Sequence, residues 1–95
     1  MLFEWDEDKD KINRQKHNMP LKAGISAFDD QNAIEFEDDR VNYGEERTVL
    51  IGLDSRTKLL YVVYTMRRGG VTRLISVRKA TKSERELYRG GFNHG

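Results

Sequence analysis

Lys58–Ala80, KLLYVVYTMRRGGVTRLISVRKA, reads as two long β-strands folded back on each other at Arg68-Gly69-Gly70. The first, Leu59–Met66, is apolar on both faces apart from its tyrosines and threonine. A half-buried strand alternates, so this one is expected at the centre of a sheet, with helices over one face and other cover over the opposite one. The second strand, Val71–Lys79, sets Arg73, Arg78 and Lys79 among apolar residues and Ser76. Gly69-Gly70 supplies the positive φ angles of a tight turn at no steric cost.

Upstream of this hairpin, Glu46–Leu53 (ERTVLIGL) reads as a strand, joined to it by the turn Asp54-Ser55-Arg56-Thr57. Ala33–Glu37 alternates enough for another strand, with Ile34 and Phe36 on one face, and Asp38–Gly44 is a polar loop. Leu2–Trp5 is an edge strand or an extended lead-in. Asp6 then caps a helix with Glu7 and Asp8 in its first turn, while Lys9, Lys11, Arg14, Lys16 and His17 lie toward its negative end. Asn18 is expected as a left-handed C-cap and Pro20 as the start of a second helix. Leu21, Ile25 and Phe28 fall at i, i+4 and i+7, one apolar stripe of that helix, which Asp29-Asp30-Gln31-Asn32 ends.

Downstream, Thr81-Lys82-Ser83-Glu84 has the capping-box pattern. The helix it opens passes through Leu87-Tyr88 and stops at Gly90-Gly91, leaving Phe92–Gly95 as a frayed tail. The order predicts an α+β fold: an antiparallel β-sheet meander with two N-terminal helices and one C-terminal helix, all helices on one face. The other face of the central strand then needs cover, and a partner protein is the simplest candidate.

Ninety-five residues suit one domain with one core, the last six a tail. The formal net charge is only +1, but acids gather at Glu4–Asp10 and Glu35–Asp39 while Arg56–Lys82 is strongly basic. That asymmetry suggests a side facing a polyanion. The chain has no cysteine, which excludes disulfides and thiolate metal sites and fits a reducing cytoplasm. No basic stretch followed by an apolar run marks a signal peptide, and no apolar run approaches the ~20 residues that span a bilayer. A cytoplasmic location is expected.

There is no P-loop, no G-x-G-x-x-G and no His/Asp cluster at ligand spacing, so neither a cofactor nor a metal is expected. Of the two histidines, His94 lies in the tail, leaving His17. A basic and aromatic constellation remains. Cleaving RNA by internal attack of the 2′-hydroxyl needs a proton acceptor, a proton donor and positive charge at the phosphate, but no metal. Glutamate, histidine, lysine, tyrosine and arginine fill those roles, and the arginine fork suits phosphate. Strand parity puts Ser76 and Arg78 on one face and Arg73 on the other, unless a bulge intervenes. Plainer readings stand beside these. Lys9 and Lys16 solvate a surface helix, His17 complements a helix dipole, and Glu45-Glu46-Arg47 are edge charges. Arg78-Lys79 keep a strand end soluble, and Trp5 is core.

The N-terminal FEWDEDKDKINRQKHNM resembles the W-D-x-x-K-x-x-x-N-x-x-K-H-G-V opening of the BrnT-like toxins of bacterial type II toxin–antitoxin systems, through Trp5, Asp6, Lys9, Asn13, Lys16 and His17. The similarity continues in one register through Phe28-Asp29-Asp30, Tyr43-Gly44-Glu45-Glu46-Arg47, Val62-Val63-Tyr64-Thr65 and Arg73–Ala80, to Glu84 and Tyr88. Asn18-Met19 replaces the usual Gly-Val, and Asn also tolerates a left-handed cap. The resemblance implies a RelE-like fold and a ribonuclease that halts translation. It further implies a cognate BrnA-like antitoxin with a ribbon-helix-helix part, a heterotetramer of the two, and operator DNA reached only through the antitoxin. On this reading Arg78 and Arg73 bind the scissile phosphate, and Glu46 or His17 acts as base or acid. Lys9, Lys16 and Arg47 hold the RNA backbone, while Trp5 and Tyr88 stack or pack. A non-catalytic module working only within an antitoxin–DNA complex is the alternative, and an inactive relative of the toxins a third.

Overall fold

The computed structural model describes residues 1–39 and 44–90. Its strands are β1 (Leu2–Trp5), β2 (Ile34–Glu37), β3 (Thr48–Leu53), β4 (Leu59–Arg67) and β5 (Val71–Lys79). Its helices are α1 (Glu7–His17), the 3-10 helix η1 (Leu21–Asp29) and α2 (Lys82–Gly90). The sheet order is β1-β5-β4-β3-β2, which puts β4 in the middle. The β4–β5 pair closes through a turn in which Gly69 and Gly70 take φ of 77° and 76°. Arg40–Tyr43 of the expected loop, and the tail, lie outside the described residues.

Three expectations need correction. The sheet is mixed: β2 to β5 pair antiparallel, but β1 lies parallel to β5, with Leu2 opposite Val71 and Trp5 opposite Leu74. The second N-terminal helix is 3-10, not α. Its buried residues are Leu21, Gly24 and Ala27, at i, i+3 and i+6, the three-residue repeat that stacks side chains directly above one another. Gly24 is what lets this helix sit so close to the sheet. A Cβ there would stand 2.8 Å from Cγ2 of Val77 and 3.2 Å from Val62. Gly24→Ala is therefore expected to destabilise the fold by roughly 1–2 kcal/mol in urea titrations, because overpacking exceeds alanine's helical advantage.

The third correction concerns the faces. Leu21, Ala27, Leu50, Leu60, Val62, Tyr64, Leu74 and Val77 form one core under η1. The opposite face carries Val49, Ile51, Tyr61, Val63 and Ala80 together with Tyr88 of α2. The helices thus divide between the faces, and the chain itself buries Tyr61 and Val63 to 5% exposure. No partner is required to cover β4. Among the described residues no helix is long and apolar enough to cross a membrane.

Local chemistry fixes the helix ends. Asp6 accepts from the backbone N–H of Asp8 (2.8 Å) and Lys9 (3.2 Å), and Asn18 closes α1 at φ 58°. Thr81 and Glu84 form the reciprocal cap of α2: Thr81 N–H donates to Glu84 Oε1 (2.8 Å) and Glu84 N–H to Thr81 Oγ1 (3.3 Å). α1 is tied to β5 by one buried side chain. Asn13 Nδ2 donates to the carbonyls of Val77 and Met19 (both 2.9 Å), and its Oδ1 accepts from Val77 N–H (3.0 Å). Beyond the end of β1, this amide stands in for the next residue of an edge strand.

Candidate active site

The pairing of β4 with β5 slips once: Val63 faces Ser76, but Tyr64 faces Leu74, so Ile75 is an extra residue. This bulge reverses side-chain parity. Arg73, opposite Thr65, and Arg78, opposite Tyr61, consequently share the α2 face of the sheet. Five strand residues at ~3.3 Å each still keep them roughly 15 Å apart. They serve separate places.

Arg78 is held from three directions. Its Nη1 and Nη2 donate to the two carboxylate oxygens of Glu84, both at 2.8 Å, and its Cζ lies 3.9 Å from the Tyr61 ring centroid. Nη1 also reaches the Lys79 carbonyl at 3.2 Å. The arginine, first, and the capping amide hold the Glu84 carboxyl below its ordinary pKa against the opposing effect of burial. His17, the last residue of α1, stands close enough to feel this arginine. Desolvation lowers the imidazole pKa from 6.5, and the charges of Arg78 and Lys16 lower it further. All three effects favour the uncharged imidazole, the form in which a histidine accepts a proton.

His17 and Arg78 open onto a cleft of about 1020 Å³, also lined by Lys22, Arg56, Lys58 and Lys79, with Asp29 and Asp54 among them. Behind His17, Lys9 and Lys16 line a smaller hollow of about 200 Å³ with Ile12, Asn13, Ile75 and Ser76, where the bulge lies. The other proposed site residues cluster elsewhere. Arg73 Nε lies 3.1 Å from Glu4, Arg67 bridges Glu4 (4.0 Å) and Glu45 (3.8 Å), and Arg47 meets Glu45 at 3.4 Å. Glu46 is exposed, accepts from Thr65 Oγ1 through its carbonyl, and lines a separate hollow of about 690 Å³ at the hairpin end.

The structure therefore joins His17 to Arg78 and separates both from Glu46, Arg47 and Arg73. Trp5 is half-buried against the η1 core. Tyr88 is buried, its hydroxyl donates to Asp30 at 2.6 Å, and burial together with that carboxylate pushes its pKa up to about 12. Lys22, Arg56 and Lys58 escaped the sequence reading. Only the run of positive charge after Arg56 hinted at them, and nothing in the chain order places Lys22 opposite. Tyr43, in the stretch resembling the toxins, lies outside the described residues.

The fold and site define a small α+β protein with a basic cleft where α1, η1 and β5 meet. Residues 5–84 match the family described as the ribonuclease toxin, BrnT, of type II toxin–antitoxin systems, and the chain belongs to that family. A toxin of such a system has an antitoxin as partner. The crystal structure of the Brucella abortus ribonuclease toxin BrnT is similar in fold, with a TM-score of 0.61 at 20% identity over 86% of this chain and 100% of that one. No curated protein sequence matches the chain.

Proposed function

We propose that the chain is a metal-independent endoribonuclease that cleaves RNA by internal attack, with His17 as the base and Arg78 as the fixed charge. The observation that carries this reading is that His17 and Arg78 line the same basic cleft, where burial and the arginine's charge lower the imidazole pKa. His17 takes the proton of a 2′-hydroxyl as that oxygen attacks the adjacent phosphorus. The bond to the 5′-oxygen breaks, this oxygen leaves with a proton from solvent, and a 2′,3′-cyclic phosphate remains. Arg78 opposes the negative charge that builds on the phosphoryl oxygens. Both ends of its fork hold Glu84, so it acts by charge rather than by a paired grip on the phosphate. Lys9 and Lys16 neutralise backbone beside His17. Glu46, Arg47 and Arg73 organise the hairpin end through their ion pairs and main-chain contact, and Trp5 and Tyr88 pack.

Membership of a type II toxin family supports the wider part of this proposal: RNA loss halts translation, and a BrnA-like ribbon-helix-helix antitoxin neutralises the toxin in a heterotetramer that reaches operator DNA. Expression of the chain alone should arrest growth and fragment total RNA. The purified protein should cleave RNA at an undiminished rate in excess EDTA, monitored by gel. Intact RNA with folded protein would favour the non-catalytic module instead, and cleavage abolished by EDTA and restored by a divalent ion would end the metal-independent mechanism.

A further inference from the structure

Four cations that the proposed reaction does not use face the same cleft. Lys22 comes from η1, Arg56 and Lys58 from the turn between β3 and β4, and Lys79 from the end of β5. All four are exposed, and none pairs with a carboxylate among the described residues. Arg14, Arg47, Arg67, Arg73 and Arg78, by contrast, each meet one. Unpaired positive charge thus reaches this one cleft from three separate elements and outnumbers the two acids that line it, Asp29 and Asp54, whereas Arg47, Arg67 and Arg73 at the hairpin end are each matched by a carboxylate.

The turn that presents two of these cations is fixed. Asp54 Oδ1 accepts from the backbone N–H of Arg56 (2.8 Å) and Lys58 (2.9 Å), and Ser55 N–H donates to Ser26 Oγ on η1 (3.0 Å). Thr57, between the two cations, sits at φ 65°, a left-handed conformation that β-branched residues rarely adopt. Such an outlier persists only where its surroundings over-determine it. Here the Asp54 carboxylate and the tie to η1 do so.

We infer that Lys22, Arg56, Lys58 and Lys79 form a phosphate-binding strip for single-stranded RNA, which leads the strand away from His17 and Arg78. The identity of the strand as RNA rests on the ribonuclease reading above. A cleft of about 1020 Å³ holds a few nucleotides of one strand, and internal attack needs a backbone able to rotate into line. Among the described residues no phenylalanine, tyrosine or tryptophan lines the cleft, so base stacking by these contributes little. Binding through this strip is accordingly carried by phosphates, tolerant of sequence and steeply salt-dependent.

The test uses the full chain and a labelled, fully 2′-O-methylated single-stranded RNA of about ten nucleotides, which internal attack cannot cleave. Combining Lys22→Gln, Arg56→Gln and Lys58→Gln should weaken binding at least tenfold at low salt. The slope of log affinity against log salt should become shallower by about 2, near 0.7 per cation for a single strand. A control triple off the cleft, Lys11→Gln, Lys82→Gln and Arg89→Gln, changes net charge equally and should stay within twofold of the parent. Circular dichroism checks that both variants fold. The inference is overturned by an unchanged slope in the cleft variant, by an equal loss in the control, or by failure of the parent to bind the strand. Cleavage of unmodified RNA is measured separately. A parent that binds through the strip but cuts nothing ends the ribonuclease reading alone, and one that cuts with an unchanged slope ends the strip alone.

Discussion

Asn13→Ala is expected to destabilise the protein by roughly 3 kcal/mol, because two buried backbone groups of Val77 and the part-buried carbonyl of Met19 lose their partner at once. The side chain is 4% exposed and bonds the N–H and carbonyl of Val77 and the carbonyl of Met19. β1 pairs with β5 only as far as Leu74, so Val77 has no strand beside it to replace the amide. Each orphaned buried group costs about 1–3 kcal/mol, and total stability for a domain of this kind is about 5–15 kcal/mol. A fall in melting temperature of roughly 10–20 °C follows. Asn13→Asp should cost at least as much, since a carboxylate cannot donate to the two carbonyls it would face. Urea titration and thermal melts of both variants read the effect. A change in stability below about 0.5 kcal/mol, the scale of an ordinary surface substitution, would show that the amide does not anchor α1.

Asn13 also marks where sequence reading reached its limit. The strands of the central hairpin, the Asp6 and Thr81 caps and the left-handed Asn18 were all legible, because each depends on neighbours in the chain. Asn13 was noticed only as part of a family pattern. Its role depends on Val77, far along the sequence, and on a strand that stops short. The parity of β5, left open to a bulge, could not be settled for the same kind of reason. A bulge at Ile75 leaves no mark in a run of alternating residues, yet it moves Arg73 to the face of Arg78. η1 was read with the α period on Leu21, Ile25 and Phe28. The better signal was the small residues at Gly24 and Ala27, spaced three apart and able to lie against Val62 and Val77.

The candidate site shows the same division. Arg78 and His17 were both legible as candidates, and they line one cleft, but which cations meet a carboxylate was not legible, because ion pairing is decided in space. Arg73 and Arg78 looked equally available, and each proves to be paired, Arg73 with Glu4 at 3.1 Å on the neighbouring strand and Arg78 with Glu84 at 2.8 Å. Glu84 looked like a helix cap and is also the partner that holds Arg78 over the Tyr61 ring.

His17→Ala is expected to lower the rate of RNA cleavage by about 10²–10⁴-fold, the usual contribution of a positioned general base. The fold should survive, since His17 is only half-buried at the end of α1. The pH dependence is the sharper test. Desolvation first, then Arg78 and Lys16, lowers the imidazole pKa from 6.5. A base acts in its neutral form, so the rate should climb with pH through a midpoint below 6.5 and level off above it. Arg78→Gln removes one cause of the lowered pKa and leaves the nearby Glu84 charge uncompensated. Both effects favour the imidazolium, so the midpoint should move to higher pH even as the plateau rate falls. A merely structural arginine would depress the plateau without moving the midpoint. Single-turnover rates between pH 4.5 and 8 on the parent and the two variants decide it. If His17→Ala stays within tenfold of the parent, or the Arg78→Gln midpoint does not move upward, the proton acceptor lies elsewhere, and the exposed carboxylate of Glu46 becomes the group to examine next.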